Sequence, residues 1–282
     1  MKDEKKTATK RNPSKTRVAV IGAGKIGTIV LQALLQKGLL SRELVHATVQ
    51  HPEKARVLAK ALGVRASTDN VAAVREADVI LICVKPQMVG EVMSQIAPVA
   101  SSKQLFISVA ASVPTDYMEK RLSDGIHIIR AMPNTPSFVG NGMTALCKGK
   151  FATPSDIDLA LEMFNTIGRT VVVDEKHMDA ITGLSASGPA FIYIVLESLA
   201  EGGVKVGLPR DLATLLAAQM TLGAAKMVLE TGHHPALLKD AVTTPAGCTI
   251  DGILELEEGK LRVTLIKAVV KAALRAKELV FS

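Results

Sequence analysis

Tryptophan is absent from the 282 residues, and phenylalanine and tyrosine together supply only 3%. The core must therefore be built from alanine, valine, leucine and isoleucine, side chains that suit close helix packing and parallel strands. The same scarcity removes the aromatic platforms on which single-stranded nucleic acids stack. Long uninterrupted apolar runs are missing as well: 48% of the residues are hydrophobic, yet no run approaches the roughly 20 residues of a membrane span. No membrane partner is expected. Cysteine is sparse, and Cys83, Cys147 and Cys248 form no CxxC or Cys/His cluster. That argues for a reducing compartment, the cytoplasm, and against a structural metal.

Basic charge is also missing from most of the chain. Residues 1–17 hold seven Lys/Arg against two Asp/Glu, so they carry most of the formal net charge of +7. A nucleic-acid protein would carry its charge as a patch on the fold, so no nucleic-acid partner is expected. The tail lacks the apolar core of a secretory signal, and Asp3 and Glu4 do not suit an organelle-targeting peptide. Residues 1–16 read as a disordered basic tail.

What is present begins with Arg17–Ile21, a short apolar run, followed by Gly22-Ala23-Gly24-Lys25-Ile26-Gly27 and a helical pattern to Leu39. This is strand, glycine turn and helix. Gly22 permits the tight turn, Gly24 lets the backbone approach a pyrophosphate, and Gly27 lets the helix pack on the strand. The second strand, Leu44–Val49, ends in Gln50-His51 with no carboxylate to hold a ribose 2′-hydroxyl, and Lys54 and Arg56 follow. NADPH is favoured, with NADH as the alternative donor. Either basic residue could pair with a 2′-phosphate or be an ordinary solvated helix charge.

Further strands are expected near Val64, at Ala77–Val84, Leu105–Val109, His127–Ala131, Thr144–Cys147 and Thr170–Val173, with helices between them. That pattern predicts a Rossmann-type doubly wound α/β sheet over 17–174, with its ligand outside the carboxyl ends of the strands. Lys85 reads equally as a group near the ligand and as a solvated strand end. Asn134, between two prolines, reads as a brace for its loop. After Asp174 the strand signals stop, and 175–282 is expected to be an all-α domain. Its helices are apolar on more than one face, which points to a homodimer or a larger assembly of dimers. Tyr193 and the methionines fit core or interface.

The most informative stretch is Val242–Leu256. Pro245 should stop the preceding helix and Gly247 should permit a turn; Cys248-Thr249-Ile250 then opens an apolar-periodic helix. Unpaired N–H groups at its start, with the hydroxyls of Thr243, Thr244 and Thr249, make either a carboxylate site or an ordinary threonine-rich cap.

This stretch, together with Ser185-Ala-Ser-Gly188-Pro189-Ala190, resembles the signature of the pyrroline-5-carboxylate reductase family, and the resemblance runs from about Arg17 to Leu279. It implies NADPH-dependent reduction of 1-pyrroline-5-carboxylate to L-proline. It implies that Val84, Lys85, Pro86, Ala110 and Asn134 line the nicotinamide half of the cofactor. Asn70 matches a cofactor-contacting position, beside Gly22, Gly24, Lys25, Ile26, Gly27 and His51. Thr244, Gly247, Cys248 and Thr249 become the substrate loop, with Thr249 hydrogen-bonded to the substrate nitrogen as the catalytic group. One departure stands out: the family commonly has Pro-Gly-Gly here, whereas this chain has Pro245-Ala246-Gly247. If position 246 needs positive φ, alanine costs about 1 kcal/mol. Cys248 reads as a small filler. The β-hydroxyacid dehydrogenase group would require a lysine four residues after Gly188, where this chain has Ile192. A different cyclic imine as substrate, or a non-catalytic NADP-sensing protein on the same fold, are the other readings.

Overall fold

The computed structural model describes residues 15–279. The tail expected at 1–16 thus falls outside the described residues except for Lys15 and Thr16, and Thr16 is already buried. By its contacts the chain divides into two compact units, one of residues 1–186 with 272–282 and one of 187–271.

The first unit is built on an eight-stranded sheet in the order β3-β2-β1-β4-β5-β6-β7-β8. The strands are β1 (Val18–Ile21), β2 (Val45–Thr48), β3 (Arg65–Ser67), β4 (Val79–Ile82), β5 (Leu105–Ser108), β6 (His127–Met132), β7 (Gly142–Lys148) and β8 (Gly168–Val172). All pairs are parallel except β6 with β7. The order 3-2-1-4-5-6 is that of dinucleotide-binding sheets, with ligands lying outside the carboxyl ends of the strands. The helices are α1 (Lys25–Gln36), α2 (Pro52–Leu62), α3 (Asn70–Glu76), α4 (Val89–Ile96), α5 (Thr115–Glu119) and α6 (Pro154–Phe164).

Alternation along the strands sends side chains to two cores. Val79 and Leu81 of β4 join α1, α2 and α6 through Leu31, Leu34, Leu58 and Phe164. Ile80 and Ile82 join α3, α4 and α5 through Val74, Met93 and Met118. A strand buried on both faces reads as a continuous apolar run, which explains the unbroken Val-Ile-Leu-Ile sequence. α6 starts by a full capping box: Thr153 Oγ1 accepts from the Asp156 N–H, and the Asp156 carboxylate accepts from the Thr153 N–H. That carboxylate also accepts from Thr153 Oγ1 at 2.7 Å and pairs with His127 Nδ1 at 2.7 Å. Burial works against its charge, but these bonds outweigh that and hold the Asp156 carboxyl below the usual range.

The change from strands to helices comes after β8. The following stretch, α7 (Met178–Ile181) and a π-helical turn at Thr182–Ala186, still belongs to the first unit. Buried Arg130 of β6 ties it down, reaching Glu175 Oε1 at 3.5 Å and Asp179 Oδ1 at 3.2 Å, while Glu175 accepts from the Thr115 N–H and hydroxyl. The contact division at 186/187 is therefore later than the compositional one at 174.

The second unit holds α8 (Gly188–Lys205), α9 (Arg210–Thr231), α10 (Pro235–Ala241), α11 (Cys248–Glu258) and the first part of α12 (Leu261–Glu278). Pro189 opens α8 at a position where its missing N–H costs nothing. α8 and α9 pack so closely that a Cβ at Gly203 would lie 2.9 Å from Ala213 Cβ. The segments Glu175–Lys205 and Arg210–Thr231 are long and apolar enough to cross a bilayer, by length and composition only. Polar residues interrupt both, Glu197-Ser198 in the first and Gln219, Thr221 and Lys226 in the second, so neither is an unbroken apolar run. One or two such segments are weak evidence for a span, because the core helix of a soluble protein passes the same test.

Candidate functional site

The glycine turn behaves as its spacing demands. Gly22 sits at φ +78, and a Cβ there would collide with Val84 Cγ1. A Cβ at Gly27 would lie 2.9 Å from Cys83 Cβ, so helix and strand are in direct contact. Gly24 has only the Gly22 carbonyl nearby, 3.9 Å from its would-be Cβ, which leaves open space over the backbone. α1 begins at Lys25 with no side-chain cap and no acidic residue in its first turn. Uncapped N–H groups and open space together suit a pyrophosphate. Lys25 is exposed, and half-buried Ile26 packs on the core.

Thr48, at the end of β2, binds this turn to the next element. Its hydroxyl accepts from the Gly22 N–H at 3.3 Å and donates to Asn70 Oδ1 at 2.7 Å, and its carbonyl accepts from the Ala23 N–H. Asn70 Nδ2 in turn donates to Gln95 Oε1 at 2.8 Å. No spacing rule flags Thr48 or Gln95; sheet order alone brings them to Asn70. His51 stands exposed at the N-cap of α2 with no capping bond from its side chain, and Lys54 and Arg56 are exposed on α2.

The other strand ends line up beside this turn. Val84 lies against Gly22, exposed Lys85 precedes the short 3-10 turn Pro86–Met88, and Ala110 is buried after β5. Two residues on, Ser112 takes φ +66, is buried, and its hydroxyl has no partner. Asn134 braces its loop as expected: Oδ1 accepts from the Met143 N–H at 3.0 Å, and Nδ2 donates to the Ser185 carbonyl at 3.2 Å. Burial pushes the Cys83 and Cys147 thiols up to about 12, so neither supplies a thiolate. A cavity of about 470 Å³ lies elsewhere, among Gln32, Gln36, Phe138 and Asn165 toward the far end of α1.

The 242–249 stretch of the second unit departs from expectation at Gly247 and Cys248. α10 stops at Ala241, four residues before Pro245, and Thr243 turns its hydroxyl back onto the Lys239 carbonyl. The Gly247 N–H donates to the Thr244 carbonyl at 3.1 Å, closing a turn whose third residue, Ala246, has φ +57. The left-handed position is thus Ala246, while Gly247 is extended at φ −84, ψ 160. Gly247 is needed for space instead, because a Cβ there would strike Thr244 Oγ1. Its N–H is spent in the turn and is not free for a ligand. α11 then starts with no side-chain cap, leaving the amides of Cys248 and Thr249 without a side-chain acceptor. Thr249 is half-buried; Cys248 is exposed rather than a packed filler. Asp251 is the acidic residue of this first turn.

Residues 175–279 match the model of the family described as pyrroline-5-carboxylate reductase dimerisation, and residues 17–112 match that described as NADP oxidoreductase, coenzyme F420-dependent. The chain is 45% identical to the pyrroline-5-carboxylate reductase of Methanosarcina acetivorans, over 93% of this chain and 97% of that protein. Among solved structures, the pyrroline-5-carboxylate reductase of Coxiella burnetii superposes with a TM-score of 0.86 at 34% identity, covering 95% of this chain and 99% of that one. The Plasmodium falciparum pyrroline carboxylate reductase, solved with NADP bound, gives 0.86 at 28% identity with the same coverage.

Proposed function

The chain belongs to the pyrroline-5-carboxylate reductase family, and on that premise we propose that it reduces 1-pyrroline-5-carboxylate to L-proline with NADPH, the last step of proline synthesis. The observation that carries this reading is the presence, in one chain, of a glycine turn left open over Gly24 and an uncapped helix start at Thr249.

Bound NADPH supplies the hydride that adds to the imine carbon. The chain's own residues do the rest. The turn at Gly22, Gly24 and Gly27 and the leading amides of α1, from Lys25 and Ile26, hold the pyrophosphate. Asn70 and His51, with Lys54 or Arg56, face the ribose end. Val84, Lys85, Pro86, Ala110 and the backbone of Asn134 wall the nicotinamide. The amides of Cys248 and Thr249 receive the substrate carboxylate, where the helix dipole adds about 0.3–1 kcal/mol. Thr244 shapes the turn that presents them. The Thr249 hydroxyl hydrogen-bonds the ring nitrogen, and water resupplies the proton taken up as imine becomes amine. A hydroxyl is a weak acid, so orientation matters more here than acidity.

The apolar faces left open on α8, α9, α11 and α12 support a homodimer. Three free cysteines and no disulfide among the described residues suit a reducing compartment, and we assign the cytoplasm. The test is NADPH consumption with 1-pyrroline-5-carboxylate, NADH run in parallel, and proline measured as product. Proline formed in step with NADPH loss is the expected result. NADPH bound but not consumed would move the reading to another cyclic imine or to a sensor.

A further inference from the structure

We infer that Gln95 is a positioning residue for the cofactor's ribose end, setting the Asn70 amide so that one N–H faces a 2′-phosphate; the inference rests on the NADPH reading above. The hydrogen bonds fix the orientation of every group in the chain. The Gly22 N–H can only donate, so Thr48 Oγ1 must accept from it. The single hydroxyl proton of Thr48 then goes to Asn70, which must present its oxygen at 2.7 Å. That turns Asn70 Nδ2 the other way, where one of its two protons meets Gln95 Oε1 at 2.8 Å. The second Nδ2 proton remains for a ligand.

The fold says which part of the ligand it meets. In a sheet of this order the end of β2 faces the adenosine ribose, the place where an acidic side chain would select the free 2′-hydroxyl. Here that end is Thr48, buried and hydrogen-bonded to Asn70, so the donor offered at the ribose is an amide N–H. A phosphate accepts from it readily, and no carboxylate of β2 opposes it. Gln95 lies on the exposed surface of α4 and fills no core, so its substitution is expected to leave the fold intact.

The experiment titrates NADPH and NADH by fluorescence into the full chain, wild type and variants, with a thermal melt of each. Gln95→Ala frees the Asn70 amide and is expected to raise the NADPH Kd about fivefold, the equivalent of one ordinary hydrogen bond. Gln95→Glu keeps an acceptor for Asn70 but places a negative charge against the Asn70 amide. It is expected to raise the NADPH Kd roughly tenfold and to change the NADH Kd by less than about twofold. Melting temperatures without ligand should not move. If wild type binds NADPH and both variants bind it equally well, the role of Gln95 is overturned while the NADPH reading stands. Equal weakening of NADPH and NADH by Gln95→Glu also overturns it. A wild type that does not bind NADPH removes the underlying reading and this inference with it.

Discussion

Val79, Ile80, Leu81 and Ile82 of β4 are all 0% exposed, whereas Tyr193, Leu215 and Met220 on α8 and α9 stand 60%, 65% and 53% exposed. The sheet unit hides most of its strand side chains in two large cores, one on each face, and a smaller cluster around Met132 and Met178. In the helical unit, the buried apolar side chains are small ones such as Ala200, Ala213 and Ala217, where α8 and α9 touch. The two halves are comparably apolar in sequence but differ in where that surface goes. On the homodimer reading proposed above, a fold that leaves this much large apolar surface open draws stability from a partner, and its stability is expected to depend on concentration. The sheet unit has fewer such positions for its length, Phe138 and Val139 among them.

The sharpest way to break the contrast is to disable one half and watch the other. Gly24→Val would set its methyl groups over the turn where the pyrophosphate is proposed to lie, and its Cβ meets nothing nearer than the Gly22 carbonyl at 3.9 Å. NADPH affinity is expected to fall roughly a hundredfold or more, with oligomeric state and melting temperature unchanged, as titration and ultracentrifugation would report. Leu215→Asp does the reverse. It should weaken self-association by about 2–3 kcal/mol, visible as monomer in sedimentation at micromolar protein, while the monomer still binds NADPH. A Leu215→Asp protein that stays dimeric would show that α9 is not the covered face.

Within the helical half, Thr249→Ala is expected to lower kcat/KM roughly ten- to a hundredfold with the NADPH Kd unchanged. A large change in cofactor affinity instead would remove Thr249 from its assigned role.

These assignments differ in how visible they were in the residues alone. The glycine turn was fully legible, because Gly22, Gly24 and Gly27 sit at the only spacing that gives a tight turn, open backbone and close helix packing together. The strands were legible as Val/Ile/Leu runs but came out too long. Ala77 and Val84 flank β4 yet lie outside its ladder, since apolar composition does not mark where hydrogen bonding stops. Ser112 and Ala246 were not legible, because nothing in a serine or alanine announces a left-handed φ. Gly247 misled for the same reason: a glycine in a turn suggests positive φ, and this one is there for space. Thr48, Asn70 and Gln95 are far apart in sequence, and Arg130 meets Glu175 and Asp179 only through the sheet; no local pattern holds such pairings.

The remaining predictions are smaller. Asp156→Asn should cost the sheet half about 1–2 kcal/mol near neutral pH by replacing the charged acceptor of the capping box and of His127 with a neutral amide. Because the native Asp156 carboxyl is held below its ordinary value, its contribution is full above the unfolded carboxyl range and is lost as pH falls through the lower native value. Urea melts of wild type and variant should therefore converge in strong acid. Ser112→Gly and Ala246→Gly each relieve a left-handed residue, at φ +66 and +57. Each should stabilise by about 0.5–1 kcal/mol. The contrast between halves predicts that only the Ala246→Gly gain depends on protein concentration.

The most direct test of the account follows the hydride. NADPH carrying deuterium at the transferred position of the nicotinamide is supplied with unlabelled 1-pyrroline-5-carboxylate, and the product is read by mass spectrometry. One deuterium on the ring carbon of proline that was the imine carbon, matched one for one by NADPH consumed, is the predicted result. Proline without deuterium, or NADPH consumed without proline, would contradict it.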